Sequence, residues 1–88
     1  MTTQTQQTTG PTAQQQGTHH FILTLQIPDG SSGFMTATFN NTLTPPADAT
    51  RADIYEALRG EIAQAHPNLK RANVLFFSLE PNRLWPHG

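Results

Sequence analysis

The sequence predicts an α+β fold: a small ββαβ domain whose three-stranded mixed sheet, order 2-1-3, carries one helix packed on one face, preceded by a disordered N-terminal tail. Three observations lead there. Two stretches alternate apolar and polar residues around a turn-rich segment, one repeats apolar residues at helical spacing, and the last is apolar on both sides. All three lie between His19 and Trp85, whereas residues 1–18 hold no charged side chain and consist almost wholly of Thr, Gln, Gly, Pro and Ala. A segment of that composition cannot bury enough apolar surface to offset the entropy of ordering. The chain therefore divides into a Thr/Gln-rich tail, 1–18, and a single domain, 19–88.

The first strand runs from His20 to Ile27, with Phe21, Leu23, Leu25 and Ile27 on one side and His20, Ile22, Thr24 and Gln26 on the other. Pro28, Asp29, Gly30, Ser31, Ser32 and Gly33 tolerate turn geometries, so the chain returns as a hairpin. In the second strand, Phe34 to Phe39, the residues Met35, Ala37 and Phe39 share one face while Phe34, Thr36 and Thr38 share the other. Asn40 and Asn41 bend or bulge it before Thr42 and Leu43, and Pro45-Pro46 ends it.

A helix follows. Thr50 and Asp53 have the spacing of a capping box, with Asp in place of the usual Glu, and Asp48 and Asp53 suit the positive helix end. Ile54, Tyr55, Leu58, Ile62 and Ala65 fall within one arc, with Asp53, Glu56, Arg59, Gly60 and Gln64 opposite, on the solvated side. Pro67, directly after His66, stops the helix. The last strand, Asn73 to Leu79, has Leu75, Phe77 and Leu79 on one face and Val74, Phe76 and Ser78 on the other. Bulk on both faces marks a strand inside a sheet, so it is placed beside the first strand, parallel to it, with the helix as a right-handed crossover. Glu80 to Gly88 folds back over an edge or stays irregular.

In topology this order, with parallel first and last strands, resembles a truncated β-grasp, the fold of ubiquitin and of small sulfur-carrier proteins. Carriers of that family end in a Gly-Gly tail whose carboxylate is activated. Here the corresponding stretch reads Trp85-Pro86-His87-Gly88. The resemblance implies a fold, and no carrier role.

Composition excludes several functions. The longest apolar runs, Phe21 to Leu25 and Val74 to Phe77, fall far short of the roughly 20 residues of a membrane-spanning helix. No basic stretch followed by an apolar core opens the chain and it has no cysteine, so export and disulfides are not expected and a cytoplasmic protein is the default. Five Lys plus Arg against six Asp plus Glu give no general attraction to nucleic acid or anionic lipid. There is no phosphate loop, nucleophile elbow or paired metal-ligand motif. His19 and His20 point to opposite faces of a strand, and His66 suits the negative end of the helix. The nearest polar constellation, Glu80, Asn82 and Arg83 with Lys70 and Arg71, reads as solvated loop. No enzyme activity, metal or cofactor is expected.

The face of the sheet away from the helix is the informative feature. In this register it presents Ile22, Phe34, Val74 and Phe76 among Thr24, Thr36, Thr38 and Ser78, and the sequence holds no second helix to cover it. A contiguous apolar patch of roughly a few hundred Å² is characteristic of interaction sites, and Trp85 is an additional aromatic anchor. The expected function is a non-enzymatic protein-interaction domain, a self-associating structural or regulatory component. Its first-choice partner is a second copy in a dimer. The alternative is a monomeric module for another protein or for single-stranded nucleic acid, with bases stacking on Phe34 and Phe76.

Overall fold

The computed structural model describes residues 16–30 and 32–84. Two long strands, β1 (His19–Asp29) and β2 (Gly33–Leu43), form a hairpin, followed by helix α1 (Arg51–Ala65), a 3-10 turn (Pro67–Leu69) and strand β3 (Asn73–Pro81). The sheet has the order β2-β1-β3. Gly30, at the hairpin turn, takes a φ of 67°, a left-handed conformation that glycine adopts without Cβ strain.

All pairs in this sheet are antiparallel, which corrects the mixed sheet and the parallel first and last strands expected from sequence. Chain direction explains the correction. β2 returns the chain to the starting end of β1, and α1, about 22 Å long at 1.5 Å per residue, carries it back toward the hairpin end. The next strand must then run as β2 does, against β1. The helix thus connects β2 to β3, two parallel strands separated by β1, and the likeness to a β-grasp loses its basis.

The helix start follows its sequence signature. Thr50 Oγ1 accepts from the Asp53 amide at 3.1 Å, and the Thr50 amide donates to Asp53 Oδ2 at 3.0 Å. At the other end His66, the C-cap residue, donates its amide to Ile62 O, and Pro67 opens the 3-10 turn.

Ile54, Leu58 and Ile62 of α1 share one buried cluster with Phe21, Leu23 and Leu25 of β1 and with Leu69 and Ala72. Leu23 and Leu25 are fully buried because β1 has a strand on each side. Tyr55 meets the edge of Phe77 on β3 with ring centroids 5.3 Å apart, and His66 meets Phe39 on β2 at 5.5 Å. Those two contacts run the helix obliquely from β3 to β2. Arg59, expected on the solvated side, is half-buried: it donates to Tyr55 Oη at 2.9 Å and to Ala72 O at 3.1 Å, holding the turn that leads into β3.

Residues 1–15, most of the expected tail, lie outside the described residues. Its last three are tied to the domain. Gly17 N donates to Thr42 Oγ1, Thr18 O accepts from the Asn82 amide, and the Asn82 side chain donates to Gln16 Oε1.

Candidate interaction surface

β3 carries a bulge. Thr24 pairs with Phe76 but Leu25 pairs with Val74, leaving Leu75 as the extra residue. A bulge of this kind reverses the side on which the strand residues before it point. Val74, expected on the open face, is therefore half-buried against the core, and Leu75, expected inward, is 53% exposed.

The open face follows from the register. Its central row is His20, Ile22, Thr24 and Gln26, flanked by Thr42, Asn40, Thr38 and Thr36 on β2 and by Glu80, Ser78, Phe76 and Asn73 on β3. Thr24 Oγ1 and Thr38 Oγ1 lie 3.0 Å apart across it, and His20 Nε2 stands 3.5 Å from Asn40 Oδ1. Ile22 and Phe76 occupy neighbouring strands one step apart, so they form its apolar centre. Phe34 is remote from them. It pairs with Pro28, four residues beyond Thr24 along β1, and sits on the opposite outer strand from Phe76. That separation is roughly 13 Å along the strands and about 10 Å across them.

Of the five residues expected at the interaction site, the structure brings together Ile22 and Phe76 only. Phe34 is exposed on the arm formed where β1 and β2 run past the start of β3, Val74 faces the core, and Trp85 lies outside the described residues. The open face is thus mainly a field of Thr, Asn and Gln around two apolar side chains. Leu75 and Met35 add exposed apolar surface that periodicity had assigned inward. The bulge at Leu75 has no signal in a run apolar on both sides. Met35 is exposed because its partner Ile27 lies beyond Asn73, where β3 begins, a limit set by the packing of β3 and not by the alternation.

The two outer strands differ along their free edges. On β3, the Arg51 guanidinium donates to Phe77 O at 3.3 Å and lies 4.6 Å from the centre of the Phe77 ring. That strand also holds the bulge and ends in Pro81. Along β2, eleven residues carry no Lys, Arg, Asp, Glu or Pro. Among the described residues, no side chain of another element donates to the β2 backbone.

An open groove of about 450 Å³ lies at the start of α1, between Pro45, Pro46 and Ala49 on one side and His19, Leu79 and Pro81 on the other. No carboxylate lines it, nor does His66. Its guanidinium, Arg51, is engaged with Phe77. The polar constellation of Glu80, Asn82 and Arg83 with Lys70 and Arg71 is split between opposite ends of β3, roughly 23 Å apart. Among the described residues, no three His, Asp or Glu side chains gather as a metal-binding group, and no helix is long and apolar enough to cross a membrane.

No protein-family model matches this sequence, and comparison with curated proteins and with solved structures finds no match.

Proposed function

We propose that this chain is a non-enzymatic protein-interaction domain, a structural or regulatory component of the cytoplasm that self-associates through its sheet, with a dimer as the simplest assembly. One observation carries the reading: Phe34, Leu75, Phe76 and Leu84 are each more than half exposed, while the buried core has only eight residues among the described ones. Large apolar side chains left in water at that ratio are stabilised when a partner covers them, at roughly 25 cal/mol per Å² removed from water. The Thr, Asn and Gln side chains around Ile22 and Phe76 supply the hydrogen-bonding groups that interfaces between soluble proteins interleave with apolar anchors. Absolute mass by light scattering after gel filtration of the full chain tests it. A dimer or larger assembly is expected, and a monomer at high micromolar concentration overturns the reading.

A second reading has its own observation. Phe76 is an exposed aromatic ring on a face of mainly uncharged hydrogen-bonding side chains, an arrangement that suits a monomeric module for a peptide or single-stranded nucleic acid. In that case Lys70→Glu with Arg71→Glu lowers retention on single-stranded nucleic acid, and Phe76→Ser abolishes it. A protein ligand would lose affinity with Phe76→Ser alone.

A further inference from the structure

We infer that the free edge of β2 is the docking site for a second copy of this chain, which adds its own β2 antiparallel to make one continuous six-stranded sheet. The inference rests on the self-association reading and names its surface. An edge strand presents a row of unpaired backbone N–H and C=O groups, and soluble proteins blunt such edges with lysines, prolines, bulges or covering side chains. β3 has three of these devices: Pro81, the bulge at Leu75 and the Arg51 guanidinium on Phe77 O. Among the described residues β2 has only one, near its end, where Asn41 Oδ1 accepts from the Thr42 amide at 2.8 Å, although it is the longer strand, eleven residues against nine.

Charge selects the occupant. Self-pairing places each residue opposite one of its own strand, and like charges directly opposite are destabilising. Gly33–Leu43 is uncharged throughout, so a two-fold pairing meets no repulsion in any register. About the central residue, Thr38, the pairing sets Ala37 opposite Phe39 of the second copy, a small residue against a large one. On the open face it sets Thr36 opposite Asn40 and Phe34 opposite Thr42. With the Thr42 amide of each copy already donated to Asn41 Oδ1, the paired residues form about eight backbone hydrogen bonds. A two-fold axis normal to the sheet closes the assembly at two copies, with β3 as each outer edge.

The test uses the full chain and charge exchange. Thr36 and Asn40 are both exposed and would face each other across the axis. Thr36→Lys with Asn40→Lys should raise the dimer dissociation constant about tenfold or more, as should Thr36→Glu with Asn40→Glu, because each places two like-charge pairs in the interface. An equimolar mixture of the two variants should recover the dimer, which unfolded proteins cannot do. Thr38→Lys, facing its own symmetry mate, is the second variant should the doubly substituted chains melt early. Dimers of wild-type affinity in the Lys variants, or no recovery on mixing, overturn the inference. If Phe76→Ser dissociates the dimer and the Lys variants do not, the open face is the interface and self-association stands without this edge. A wild-type monomer overturns both and leaves the edge to a different chain.

Discussion

β2 and β3 flank the same central strand, and their outer edges are treated in opposite ways. Next to β3, Arg51 and Arg59 turn away from full solvation toward the backbone, Arg51 onto Phe77 O and Arg59 onto Ala72 O. The Phe77 ring lies between Arg51 and Tyr55, which adds a cation–π contact worth about 0.5–1 kcal/mol at an exposed site. β2 receives the His66 ring on Phe39 and, at its last residues only, Gly17 on Thr42 and Leu43, with no arginine on its backbone among the described residues. The asymmetry follows from the connection. α1 begins over β3, so both of its arginines fall within reach of that strand and of the turn leading into it. A helix of this length cannot guard two edges at once. The edge it leaves is the one whose sequence lacks charge, which is why the comparison bears on association as well as on stability.

The largest expected effect removes what the two edges share. Leu23 is fully buried and pairs with Phe39 on one side and Phe77 on the other. Leu23→Ala should cost about 3–5 kcal/mol, comparable to the whole stability of a domain this small, and thermal denaturation should show little or no cooperative transition. Retained stability would mean that the two outer strands are held by α1 and not through β1.

Next in size is the anchored end of β2. A Cβ at Gly17 would lie 2.6 Å from the Leu43 nitrogen, with only backbone there to yield. Gly17→Ala should destabilise by about 1–3 kcal/mol, and hydrogen exchange should speed up first at Thr42 and Leu43. Arg59→Ala acts on the opposite side. Loss of donors to Tyr55 Oη and Ala72 O should cost about 1–2 kcal/mol and loosen amides from Ala72 to Phe77 while those of β2 keep their protection. Equal loosening of both strands would mean that Arg59 does not act on β3 in particular.

The smallest effect has the opposite sign. Gly60 lies on the exposed side of α1, and a Cβ there would meet nothing within 4 Å. Gly60→Ala should add up to about 1 kcal/mol and raise the melting temperature by about 4–8 °C, with the exchange contrast between β2 and β3 unchanged.

Local features were legible wherever one periodicity or one cap controlled them. The alternation in β1 and the β2 register follow from a hairpin whose turn residues set its closure, and Thr50 with Asp53 marks the helix start because both partners lie within one turn. Leu69 and Ala72 were not legible as core, since a 3-10 turn has too few residues to show a repeat. Arg59 was misplaced because its position on the helical wheel says nothing of carbonyls arriving from the next turn of chain. The candidate surface suffered most. Its membership depended on the parity of β3, and a single extra residue, Leu75, moved Val74 to the core and divided the expected patch.

By itself, then, the sequence determined the elements, the amphipathic faces of β1 and α1 and the absence of charge along β2, since these depend on residues a few positions apart. The order 2-1-3 was expected from the bulk on both sides of β3 and is the order found, although it joins residues about fifty positions apart. The tertiary structure alone decided that β3 runs against β1, that it bulges at Leu75, and that the arginines protect one edge and leave the other open. Those outcomes depend on where a helix and two strands meet in space. Bulk on both sides of β3 fits either parity, and only the neighbouring strand and the helix above it distinguish the two.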